Sequence, residues 1–142
     1  MDYPVHLWQR NHMRYLSIIF AFCAAPVLAG GPMSGVEFET YSSGKTMFYA
    51  EGGQRYGVEQ YLEGRRVRWS FLDGQCKEGY WYEDAAKICF VYEDNPDPQC
   101  WVFTETERGL SAQFGNDPDA LALYEVQDAQ EEMLCLGPQV GV

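Results

Sequence analysis

The stretch RRVRWSFLDGQCKEGYWYE, residues 65–83, decides the fold. Two runs rich in aromatic and β-branched residues flank Asp73-Gly74, a dipeptide typical of two-residue β-hairpin turns. A second turn candidate, Glu63-Gly64, precedes the first run and follows another strand-like run, YGVEQYL. The pattern therefore predicts three consecutive antiparallel strands.

Two-residue turns at both places predict one register. Val58 then lies opposite Trp69, and Trp69 lies opposite Glu78, on one face of the sheet. Glu59 lies opposite Arg68 on the other face and forms a charge pair with it. The two turns agree on one pattern of faces, which supports a continuous meander.

The remaining chain continues the same pattern of short strands and turns. Ser34 and Glu37 form a capping-box pattern that predicts a short N-terminal helix, with Gly44 as its stop. A turn is expected near residues 84–86, and the runs ICFVY and CWVFT form a hairpin in which Pro96 and Pro98 confine DNPDP to the loop. The pattern of ALALYEV, residues 120–126, favours a strand slightly over a helix. The last apolar segment is EMLCLG, residues 132–137. We predict a mainly β fold of eight or nine strands, forming a curled sheet or a lipocalin-like barrel.

The N-terminus predicts export. Arg10 and Arg14 precede an apolar run of 15 residues that ends at Ala29, which is too short to span a bilayer and is typical of a signal peptide. We predict a signal peptide at residues 1–29 and a single disulfide-containing domain at residues 30–142, periplasmic or secreted, with no membrane span after cleavage. A retained anchor and a lipoprotein at Cys23 are the alternatives, and Met13 is an alternative start.

Composition excludes several function classes. The chain carries a net charge of −11, and both histidines, His6 and His12, lie in the predicted leader. Such an acidic chain lacks the basic patch that nucleic-acid binding needs, and it would attract basic partners or cations. Without histidine, the exported domain has no Ser-His-Asp triad and no histidine metal ligand.

Four cysteines remain after the predicted cleavage, and their spacing does not fit a zinc site. An even number in a small exported chain predicts two disulfides among Cys76, Cys89, Cys100 and Cys135. Three connectivities are possible. The pairing Cys89–Cys100 with Cys76–Cys135 is weakly preferred, although simple hairpin counting places Cys100 opposite Tyr92, so that the preference requires a bulge or a shifted register.

The carboxylates offer the remaining routes to chemistry. Glu59, Glu78 and Glu83 are candidates for a glycosidase-like acid and base, with Glu78 expected beside Trp69. The acidic loops DNPD and NDPD contain oxygen ligands of the kind calcium takes, but turn formation alone explains their composition. We therefore predict no catalytic residue, no metal and no cofactor.

The stretch WSFLDGQCKEGYWYEDAAKICFVYEDNPDPQCW, residues 69–101, resembles a set of small exported bacterial proteins of unknown function. They share a glycine followed by an aromatic residue, then a "CF" strand and a "CW" strand. The resemblance covers residues 33–114 and implies an envelope location and a disulfide-bearing β fold. It implies no catalytic residue.

Two functions rank above an enzyme, which is the third alternative. The first is a small-ligand-binding barrel whose interior is lined by Val58, Trp69, Tyr80 and Trp101. The second is an acidic interaction or inhibitor module for a basic envelope protein such as a cell-wall hydrolase.

Overall fold

The computed structural model describes residues 30–129 and 131–137. The predicted signal peptide, residues 1–29, lies outside them. One helix, α1 (Gly35–Ser42), precedes eight strands, and a 3₁₀ turn, Glu63–Arg65, separates the second from the third. The strands are β1 (Thr46–Glu51), β2 (Gln54–Tyr61), β3 (Arg66–Ser70), β4 (Lys77–Asp84), β5 (Lys87–Tyr92), β6 (Asn95–Thr106), β7 (Gly109–Phe114) and β8 (Leu123–Glu125).

The sheet closes into a barrel. Each strand pairs antiparallel with the next one along the chain, and β8 returns to pair with β1. This confirms the predicted mainly β fold with one short helix. Of the two predicted forms, a curled sheet and a barrel, the structure has the barrel.

Helix α1 closes one end of the barrel. Ser34 and Glu37 form the predicted capping box, which fixes where the helix begins. Phe38, on the buried side of the helix, is fully buried. Its ring lies 4.5 Å from that of Phe103 and 5.1 Å from that of Trp81, centroid to centroid. The helix therefore acts as a plug held by aromatic contacts.

The predicted register was wrong by one residue at both turns. Trp69 lies opposite Lys77 rather than Glu78, and Glu59 lies opposite Trp69 rather than Arg68. The 3₁₀ turn and the longer connection at residues 71–76 replace the expected two-residue turns. A shift of one residue moves a side chain to the other face of a strand.

The hairpin between β5 and β6 also differs from its prediction. Strand β6 begins at Asn95, so Pro96 and Pro98 lie within the strand rather than in a loop. Proline is tolerated there because the ladder is irregular between Phe90 and Tyr92. This irregularity is a β-bulge, one of the features that the preferred pairing of Cys89 with Cys100 required.

That bulge brings Cys89 opposite Cys100, and the two form a disulfide. The second disulfide joins Cys76 to Cys135. The weakly preferred connectivity is therefore the one that forms.

The segment 131–137 is not a strand but an extended strap on the outside of the barrel. Cys135 and a hydrogen bond of 2.8 Å from the Leu136 amide to the Gly74 carbonyl fix it to the β3–β4 connection. Glu131 forms an ion pair of 2.8 Å with Arg55. The strap and the outer faces of the first three strands enclose a cleft that contains the buried Val58.

We expect Phe38→Ala to lower the free energy of unfolding by about 3–5 kcal/mol, because it removes a large buried ring from the plug. The matched control is Val36→Ala on the same helix, since Val36 is 69% exposed, and its effect should stay within about 0.5 kcal/mol. Urea unfolding of the oxidised protein measures both. Equal effects of the two variants would contradict the plug.

Candidate functional site

A cavity of about 100 Å³ lies inside the barrel, toward the end opposite helix α1. Aromatic side chains dominate its wall. The lining residues are Tyr49, Tyr56, Glu59, Tyr61, Trp69, Phe71, Lys77, Phe90, Tyr92, Asp94, Asn95, Gln99, Trp101, Phe103, Ala112 and Leu123. Three of them, Tyr61, Phe90 and Phe103, also contact Phe38. The plug therefore supports the floor of the cavity.

Glu59 is the carboxylate in the depth of this cavity. It is 2% exposed and lies on the inward face of β2, between Met47 of β1 and Trp69 of β3. Its Oε2 atom accepts a hydrogen bond of 2.9 Å from the Tyr92 hydroxyl. Among the described residues, its Oε1 atom is the one buried side-chain nitrogen or oxygen with no hydrogen-bond partner.

Burial raises the pKa of Glu59 to about 8, and the hydrogen bond from Tyr92 offsets only part of that rise. Burial likewise raises the pKa of Tyr92 well above its ordinary value, and the nearby Glu59 raises it further. The Tyr92 phenol therefore keeps its proton and serves as a hydrogen-bond donor.

Two glycines make room for the rings around Glu59. A Cβ on Gly79 would lie 2.8 Å from Cδ1 of Tyr92, so the tyrosine can lie across β4 only because residue 79 has no side chain. A Cβ on Gly57 would lie 2.2 Å from Cζ2 of Trp69. These glycines let Tyr92 and Trp69 occupy the barrel interior.

A second polar pair lies beside the carboxylate. The hydroxyls of Tyr49 and Tyr61 are 2.8 Å apart, and burial raises the pKa of both phenols above the ordinary value. Only one of them can donate in that bond, so the hydrogen of the other hydroxyl is available to a further acceptor.

The mouth of the cavity combines an aromatic rim with an ion pair. The Phe71 ring lies 5.3 Å from that of Trp69 and 5.8 Å from that of Tyr56. Lys77 forms an ion pair of 2.5 Å with Asp94 across the rim. The two charges neutralise each other, which leaves Glu59 as the unbalanced acidic group of the cavity.

Two of the four predicted lining residues are in place: Trp69 and Trp101 both line the cavity. The prediction was wrong for the other two. Tyr80 is 52% exposed on the outer surface, opposite Arg66, and Val58 lies in the outer cleft under the strap. Both were misplaced by the one-residue register shift.

The other candidate carboxylates do not join Glu59. Glu78 lies on the outside and bonds to Arg68 at 2.6 Å, which also corrects the predicted Glu59–Arg68 pair. Glu83 lies against Gly35, at the helix end of the barrel. In the part of the chain that the structure describes, no group of three potential ligands is placed to hold a metal ion.

Sequence reasoning weighed Glu59 as a catalytic carboxylate but paired it with Arg68, and it did not identify Tyr92 as a site residue. The alternation Gly57, Glu59, Tyr61 carries the usable signal, because a glycine and a tyrosine on one strand face point to a crowded aromatic interior. The predicted register, however, placed this face of the strand on the outside of the barrel.

Within residues 30–129 and 131–137, no helix has the length and apolarity needed to cross a membrane. Comparison with protein-family models, curated proteins and solved structures finds no match to this chain.

We expect Glu59 to make the protein less stable as the pH rises from about 4.5 to about 8. Its pKa is 4.5 in the unfolded chain and about 8 in the folded one, so the folded state binds the extra proton in that window. The contribution is complete below pH 4.5, is lost by pH 8 and amounts to roughly 5 kcal/mol at most.

Urea unfolding across pH 4.5–9 measures this dependence. Glu59→Gln should flatten it, whereas Glu107→Gln, at an exposed glutamate of the β6–β7 turn, should leave it unchanged. An unaltered slope in Glu59→Gln would show that other groups cause the dependence.

Proposed function

We propose that the protein is an exported β-barrel without catalytic activity that binds one small molecule through its open end. The observation that carries the proposal is the Oε1 atom of Glu59, which lies buried and without a partner inside an aromatic cavity. An unsatisfied buried carboxylate oxygen is costly, and a bound ligand that donates to it removes the cost.

The size of the cavity limits the ligand. About 100 Å³ is several times the space that one water needs and is well below the volume of a site for a drug-sized molecule. The ligand therefore has only a few non-hydrogen atoms, or is the end group of a longer molecule that extends out through the mouth of the cavity.

Two features support export. Disulfides such as Cys76–Cys135 and Cys89–Cys100 persist in oxidising compartments and are rare in the cytosol. The pattern of residues 1–29 is that of a signal peptide. We accordingly propose a periplasmic or secreted protein whose processed chain begins at Gly30.

The acidic interaction module is the second candidate, and the net charge of −11 favours it. Association with a basic envelope protein would weaken steeply with salt, whereas binding of a small molecule in an enclosed apolar cavity would change little.

Mass spectrometry of the protein purified from its envelope fraction tests the proposal. We expect the native spectrum to show one extra mass per chain, because the ligand remains in the cavity. The denatured, unreduced chain should have the mass of residues 30–142 with two disulfides. A native mass equal to that of the polypeptide alone would contradict ligand binding and favour the interaction module.

A cavity-filling variant provides the control. Ala112→Leu adds three carbon atoms at a residue that lines the cavity, so the extra mass should disappear. Ala50→Leu makes the same change on the outer face of β1, opposite the exposed Tyr124, and should retain it. Retention of the mass in Ala112→Leu would place the ligand elsewhere.

A further inference from the structure

We propose that the ligand is a small organic cation, with a primary ammonium group that donates a hydrogen bond to Oε1 of Glu59 while its carbon atoms contact the surrounding aromatic rings. The inference rests on the proposed function and names the chemical class of its ligand.

The neighbours of Glu59 leave its charge without a protein counterion. Across the sheet it lies between Met47 and Trp69, neither of which is basic. Its one hydrogen-bond donor is the neutral phenol of Tyr92. Among the described residues, Lys77 is the one basic side chain that lines the cavity, and it pairs with Asp94 at the mouth.

The other titratable groups around the site do not change this charge. Tyr49 of β1 and Tyr61 of β2 bond to each other, and burial keeps both phenols protonated. With Lys77 and Asp94 cancelling, an ionised Glu59 gives the cavity a net charge of −1. A bound anion would meet this carboxylate, and a hydrocarbon would leave Oε1 without a partner.

The aromatic wall favours the same class. Trp69, Trp101 and the parallel rings of Phe90 and Tyr92, 6.3 Å apart, line the cavity around the carboxylate. The faces of aromatic rings attract cations, and the attraction is strongest where water is excluded.

Binding of the cation is coupled to loss of a proton. At pH 7, one unit below its pKa of about 8, Glu59 is ionised in roughly one molecule in ten. The entering ammonium pairs with the carboxylate, and the carboxylic-acid proton leaves to solvent. Affinity for the cation should therefore fall about tenfold for each pH unit below 8.

Three probes of equal chain length test the charge class: n-butylammonium, 1-butanol and butyrate, titrated into the purified protein by calorimetry at pH 8.5. We expect n-butylammonium to bind at least tenfold more tightly than either of the others. Between pH 8 and pH 6 its affinity should fall about fiftyfold, because the ionised fraction of Glu59 falls from about one half to about one in a hundred while the amine itself stays protonated. Glu59→Gln should lose at least tenfold in affinity at pH 8.5 together with the pH dependence, whereas Glu107→Gln should keep both.

Tighter binding of 1-butanol or butyrate, or an affinity for n-butylammonium that does not vary with pH, would overturn the cation proposal and leave the ligand-binding barrel standing. Absence of binding by all three probes would also overturn the cation proposal, and a native mass of the polypeptide alone would overturn the ligand-binding barrel with it. The probe series on the unaltered protein decides the question even if Glu59→Gln does not fold.

Discussion

Pairing of β8 with β1 is the constraint on which the rest of the structure depends. A closed sheet has no free edge, and every second side chain of its strands must point into one shared interior. That interior is crowded with large rings. They fit only because glycine occupies some inward-facing positions, as at Gly57 and Gly79. One end is then filled by Phe38 from the helix. The cavity lies beyond the residues that contact Phe38, toward the open end of the barrel.

The sequence was sufficient for the kind and order of the elements. Turn residues, alternating aromatics and the Ser34–Glu37 box identified the helix and a meander of the right length. These signals are local, and they act within a few residues of the structure they predict. The sequence supported the cysteine pairing less strongly, because that pairing depends on a bulge between β5 and β6 that no local sequence signal predicts.

The faces of the strands could not be derived in the same way. Glu63-Gly64 and Asp73-Gly74 mark turns correctly, but glycine accommodates loops of several lengths by adopting positive φ, as at Gly64 and Gly74. One extra loop residue exchanges inside for outside along an entire strand. Glu59, which the predicted register placed on the face opposite to Trp69, is thus the buried carboxylate of the cavity, while Trp69 and Trp101 line the cavity as predicted.

Burial of the Glu59 carboxylate lowers the stability of the barrel, although neighbouring residues hold the side chain in place. Glutamine or leucine at this position would fill similar space without the cost of desolvating a carboxylate. The surrounding structure nevertheless holds the group in place, with Tyr92 donating to Oε2 and Gly79 making room for that tyrosine. One oxygen is satisfied by the protein and the other is not. The wall of the cavity thus carries one hydrogen-bond acceptor without a partner in the described part of the protein, and the proposed ligand would supply the missing donor.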